Sequence, residues 1–176
     1  MATTLIALEE YLNTSYEPDM EFVDGALVGR NVGTPLHGRL QALLAIFFHQ
    51  FSITHGIRVI VECRLLMDAA TSRCRIPDVM VMEGRYKKGK VITDIPVAVV
   101  EIKSPEDRLR ELTEKCREYA ALGVPNILVL DPDRRRLYVF ENSALQLVES
   151  CVLRLPKSGT EIAFQADQLF DEDEMD

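Results

Sequence analysis

The sequence has no CxxC pair, no apolar run long enough for a membrane helix and no excess of positive charge. Its four cysteines, Cys63, Cys74, Cys116 and Cys151, are scattered, which argues against a zinc site or a disulfide framework and points to free thiols in a reducing cytoplasm. No stretch approaches the ~20 apolar residues that span a bilayer, and the first residues lack a basic n-region, so a soluble, cytoplasmic protein with no membrane partner is expected. Asp and Glu outnumber Lys and Arg by 28 to 20, a net charge of -8. That balance speaks against non-specific wrapping of nucleic acid, which depends on neutralising phosphates. No internal repeat or low-complexity tract is present.

What is present fits one domain of 176 residues that closes on an acidic end at about 171–176. Leu5, Leu8 and Leu12 recur at helical spacing behind Thr3 and Thr4, which predicts a short amphipathic helix over a sheet edge. Residues 20–28 alternate about Asp24-Gly25, a dipeptide that tolerates the positive φ of a two-residue hairpin. Residues 34–56 read as the longest helix, with Pro35 in its first turn and Leu36, Leu40, Leu43, Phe47 and Phe51 as its apolar stripe. Strand character over 58–66 leads into a turn-rich link at 68–74. A second long helix is expected to open at Ser104-Pro-Glu-Asp107 and to end at Gly123, before a buried strand at 126–130 that completes a parallel crossover. Later strands are expected at 137–141, 145–152 and 161–164. This order predicts an α/β protein with a mixed β-sheet flanked by helices on both faces.

The chemistry gathers between residues 75 and 103. Arg75-Ile-Pro-Asp78 opens one apolar run, and a second ends in Glu101-Ile-Lys103. The two-residue period places Val97, Val99, Glu101 and Lys103 on one face. If 77–81 pairs with 97–102, Asp78 lies beside Glu101 on that face. Two carboxylates among aliphatic neighbours repel and desolvate each other, and a hard cation with oxygen ligands, Mg²⁺ or Mn²⁺, is the usual compensation. The connection between the runs carries Arg85, Lys87, Lys88 and Lys90 around Tyr86, either a solvated loop or a phosphate-contacting one. From spacing alone Lys115 could pair with Glu111 on the helix surface, and His37 could be a satisfied core histidine.

Pro-Asp followed by Glu-x-Lys resembles the PD-(D/E)xK nuclease superfamily. Glu21-Phe-Val-Asp-Gly25, His37, Ser104-Pro105, Lys115, Tyr119, Gly123-Val124-Pro125 and Asp131-Pro132 extend the likeness, from Leu5 to about Phe140, to the Uma2 (Uma-two) family of restriction endonucleases. The resemblance implies a restriction-endonuclease-like fold and Mg²⁺-dependent hydrolysis of DNA by a metal-activated water. It implies Asp78 and Glu101 as metal ligands, helped by the Ile102 carbonyl and Glu21, with Lys103 as the main catalytic lysine and Lys115 as second or substitute. In many members the position of Lys103 is aliphatic, whereas the helix lysine is more regular. His37 and Tyr119 are expected beside the site, Lys87 and Lys88 on substrate phosphates, and paired cutting of two strands is compatible with a homodimer. The sequence departs from the family at Asn126-Ile127, where an acid and aromatics including tryptophan are usual; strand packing is affected and no expected ligand is. The rival expectation is a non-catalytic interaction protein that keeps the fold and binds a protein through its acidic surface. The charge favours that rival, and the intact set Asp78, Glu101 and Lys103 disfavours it.

Overall fold

The structure is a computed structural model that describes residues 5–31, 33–68 and 73–170; Thr3, Thr4 and the acidic end at 171–176 lie outside the described residues. Tyr11 anchors the first helix, α1 (Leu8–Asn13), with its ring stacked on Phe22 and its hydroxyl donating to the Met20 carbonyl at 2.7 Å. Beneath it run β1 (Met20–Val23) and β2 (Ala26–Gly29), joined through Asp24 and Gly25 at φ 51° and 87°, as a two-residue hairpin requires. The next helix, α2 (Pro35–His49), is capped by the Thr34 hydroxyl, which accepts the His37 N–H. It stops short of the expected Gly56. Phe51 and Ser52 donate to carbonyls three residues back instead of four, and the Ser-Ile-Thr that follows is poor helix-forming sequence.

Glu62, at φ 47°, divides the run expected as one strand into β3 (Ile57–Val61) and β4 (Leu65–Asp68). Then come β5 (Arg73–Arg75), β6 (Val79–Glu83) and β7 (Ala98–Ile102). The following helix, α3 (Leu109–Leu122), opens later than Ser104. The Ser104 N–H donates to Asp107 Oδ2 at 2.7 Å and the Asp107 N–H to the Ser104 carbonyl at 3.0 Å, which closes a separate turn first. Gly123 ends it at φ 97°. The chain continues through β8 (Asn126–Asp131), β9 (Arg136–Glu141), β10 (Ala144–Val148), β11 (Ser150–Arg154) and β12 (Glu161–Gln165). The strand expected over 145–152 is thus two strands, and they belong to different sheets.

The six-stranded sheet has the order β10-β9-β8-β7-β6-β3, with β7 and β8 parallel and the other neighbours antiparallel. The period of two sorts its side chains into two layers. Val79, Val81, Ala98, Val100 and Leu130 pack with Leu40, Leu44 and Phe48 of α2, while Met80, Met82, Val99 and Val129 pack with Leu112, Cys116 and Tyr119 of α3. Each such burial is worth about 1.5–3 kcal/mol, so the two layers fix the central strands rigidly. Val97 precedes the strand and packs in the α2 layer, a correction to the expectation that it shares the face of Glu101. A four-stranded antiparallel sheet, β2-β1-β5-β4, lies under α1. The β11–β12 ribbon adds Leu153, Ile162 and Phe164 to the α2 layer. Asn126, where the family pattern is broken, ties that ribbon down: its amide donates to the carbonyls of Val97 (2.7 Å) and Arg154 (2.9 Å) and accepts the Arg154 N–H. The four cysteines are free, and among the described residues no helix is long and apolar enough to cross a membrane.

Candidate active site

Antiparallel register sets Val79 opposite Val100, and Asp78, just before β6, reaches the end of β7 beside Glu101 through the Ile102 N–H. Both acids are buried at the same end of the sheet, in the wall of a pocket of about 400 Å³. Asp78 Oδ2 accepts the Ile102 N–H at 2.7 Å, and Oδ1 lies 3.0 Å from Arg30 Nη2 and 3.2 Å from His37 Nε2. Burial alone would push this carboxyl up; the hydrogen bond and charge of His37 and the Ile102 N–H outweigh it and hold Asp78 below its ordinary value. The bond to Asp78 in turn raises His37, against its burial.

Glu101 accepts the Tyr119 hydroxyl at 2.5 Å and the Lys115 ammonium at 3.1 Å. Lys115 and Tyr119 are four apart on α3, which puts both on the helix face that covers Glu101. Burial pushes Glu101 up to about 7; Lys115 opposes that rise, and the charges of Asp78 and Glu21 add to it. Glu21, on β1, receives Lys115 at 3.0 Å, Arg75 at 2.8 Å and the Ile76 N–H at 3.1 Å. Lys115 and Arg75 hold Glu21 below its ordinary value in spite of its burial. The same carboxylates raise Lys115 although burial lowers it, so it stays a cation. Arg75 also grips Glu118 at 2.7 Å, which links β5 to α3 behind the site.

The residues expected in the site are therefore only partly assembled. Asp78, Glu101, Ile102, Glu21, Lys115, His37 and Tyr119 come together. Lys103 does not: the strand ends at Ile102, and the Lys103 ammonium bonds the Ser104 carbonyl at 3.2 Å, with Asp133 at 4.0 Å. The Lys103 N–H still pairs with the Leu130 carbonyl at 2.7 Å, so its backbone stays tied to β8 while its side chain turns away from Glu101. Lys87 and Lys88 are exposed and do not line the pocket; the Lys87 N–H is turned to Asp94 Oδ2 at 2.7 Å.

The family described as "Uma2: Putative restriction endonuclease" matches residues 8–163. The chain belongs to the Uma2 family. In structure this Uma2 chain is similar to a protein from Anabaena variabilis ATCC 29413 described as a "putative nuclease belonging to DUF820", with a TM-score of 0.78 at 18% identity over 94% of this chain and 97% of that one. At that identity the match speaks for the fold, which is restriction-endonuclease-like. A slighter likeness is to a chain of the DrdV–DNA complex, with a TM-score of 0.38 at 20% identity over 61% of this chain and 10% of that one, and it carries no argument. No curated protein matches in sequence.

Two facing carboxylates and a backbone carbonyl are hard oxygen donors of the kind Mg²⁺ and Mn²⁺ take. Mg²⁺ needs only one or two carboxylates when water and substrate phosphate complete its shell. A closed cage is not present: among the described residues no three or more of His, Cys, Asp and Glu are grouped to hold a metal. Burial, with the charges of Asp78 and Glu21 adding to it, pushes the Glu101 carboxyl up to about 7, and a divalent cation beside it would favour the ionised form. The donor set therefore fits the metal.

Three participants have no role in the sequence reading. Arg75 could have been found, since an arginine between apolar residues needs a nearby acid once it is buried. Glu118 and Arg30 carry no local signal. Their contacts span 43 and 48 residues of chain.

Proposed function

We propose that this chain is a divalent-metal-dependent endonuclease that hydrolyses DNA phosphodiester bonds in the pocket between β6, β7 and α3. The observation that carries the reading is the facing pair Asp78 and Glu101, with the Lys115 ammonium 3.1 Å from the second acid. Asp78, Glu101 and the Ile102 carbonyl would hold Mg²⁺ or Mn²⁺, which when bound supplies Lewis acidity and a water of lowered pKa. Lys115 orients the attacking water and offsets the charge gained by the phosphate oxygens during in-line displacement. Glu21 acts on Lys115, whose ammonium it holds at 3.0 Å. Tyr119 fixes the rotamer of Glu101, and His37 that of Asp78. Lys115, whose ammonium lies 3.1 Å from Glu101, takes the main role that the resemblance implied for Lys103.

A second reading, the non-catalytic partner-binding protein, is favoured by the rim of the pocket, where Glu62, Asp107, Glu111 and Glu114 oppose the approach of phosphates. Incubation of supercoiled, linear and single-stranded DNA with Mg²⁺ or Mn²⁺ separates the two. The nuclease reading expects metal-dependent cleavage by the wild type and none by Asp78→Ala. Intact DNA in every wild-type reaction would leave the non-catalytic reading standing.

A further inference from the structure

The two basic side chains on Asp78 Oδ1 are held in different ways. His37 sits in the first turn of α2 and is 8% exposed, so the imidazole is held within the fold. Arg30 arrives from the connection after β2, with 21% of its side chain exposed and with Glu62 3.9 Å from its other amine as a second anion within reach. Oδ2 of Asp78 is committed to the Ile102 N–H in the middle of the fold. Oδ1 is thus the oxygen that can exchange partners, and Arg30 is the partner able to leave. Arg75 and Lys115, the other basic side chains of the pocket, are both fixed against Glu21. The connection that bears Arg30 is itself held across the pocket mouth, where the Asn31 amide donates to Asp107 Oδ1 at 2.7 Å.

A divalent ion on Asp78 would compete with Arg30 and His37 for one carboxylate oxygen, and the guanidinium, the longer and more exposed of the two side chains, is driven off. The guanidinium that leaves is a planar fork suited to two phosphate oxygens, and the acidic rim leaves it few competitors for an incoming phosphate. We propose that Arg30 is the substrate-phosphate contact of this site, parked on Asp78 as a stand-in cation until metal and nucleic acid arrive. The proposal rests on the nuclease reading above and adds to it a residue and a role.

The test measures two binding affinities and no turnover. Mn²⁺ is titrated calorimetrically into wild type, Arg30→Met and Arg30→Lys, and a DNA duplex is titrated into the same proteins in Ca²⁺. Removing the competing charge in Arg30→Met should tighten Mn²⁺ on the order of tenfold, while the lost phosphate contact should weaken DNA on the order of tenfold. Arg30→Lys should restore part of the DNA affinity, and it keeps the test open if the methionine variant does not fold. A merely structural arginine would move both affinities the same way. Mn²⁺ binding unchanged or weaker in Arg30→Met overturns the stand-in, and unchanged DNA binding overturns the phosphate contact. No Mn²⁺ binding by wild type or either variant would instead reject the metal site itself, and this proposal with it.

Discussion

Lys115 and Lys103 differ in where their ammonium groups lie, the first on Glu101 and Glu21 and the second on the Ser104 carbonyl. Because Lys103 does not reach the acids, Lys103→Ala should cleave DNA within a few-fold of wild type, whereas Lys115→Ala should lose ~10² or more. Single-turnover rates in Mn²⁺ check both, and equal losses would return a shared role to Lys103. The acids were legible because their positions follow from period and pairing: Asp78 and Glu101 need only two strands in one register. The choice between Lys103 and Lys115 was not, since it depends on how a helix lies over the strand and on which way a side chain turns at the strand end. The titrating groups at the same site give a sign that can be tested. Glu101 is raised from 4.5 to about 7 and His37 lies above 6.5, so each stabilises the fold at low pH and loses that contribution as pH rises through its folded value. Asp78 and Glu21 are held below 3.8 and 4.5, so they stabilise above those values and lose the contribution on acidification. Metal-free stability should therefore peak near about pH 5–6 and fall toward about pH 8. Urea midpoints in EDTA test this, and a midpoint that rises from about pH 6 to about pH 8 contradicts the electrostatics.

At the scale of elements, what reads clearly in the sequence is what local chemistry decides. Asp24-Gly25 dictates its turn, Thr34-Pro35 starts α2, Gly123 ends α3, and the alternation in β6 and β7 assigns two faces. What does not read is where competing local bonds intervene. The turn between Ser104 and Asp107 delays α3, the tightened backbone at Phe51 and Ser52 shortens α2, and Glu62 breaks a strand in two. The placement of β11 and β12 in a separate ribbon depends on packing far along the chain. Asn126 is its clasp, and Asn126→Ala should cost roughly 1–3 kcal/mol, since it leaves the Val97 and Arg154 carbonyls and the Arg154 N–H short of partners. A urea-unfolding midpoint equal to that of wild type would show that the ribbon is held by Phe164 and its apolar neighbours alone.

For the molecule as a whole, the fold puts two buried acids at the end of a central sheet and closes them in with basic side chains from three directions: Arg30 after β2, His37 from α2 and Lys115 from α3. The net charge of -8 seemed to oppose a nucleic-acid partner, and the acidic rim sharpens that objection; both lose force if the site works only when loaded with divalent metal. Metal loading is thus the claim on which the account stands or falls. Binding to the folded state alone adds RT ln(1 + [L]/Kd), about 2.7 kcal/mol at a hundredfold excess over Kd. The direct measurement is the thermal melting of wild type, Asp78→Asn and Glu101→Gln near neutral pH, with and without millimolar Mg²⁺ or Mn²⁺. The account predicts that metal raises the melting temperature of wild type and leaves both variants where they were; a wild-type curve that does not move would contradict it.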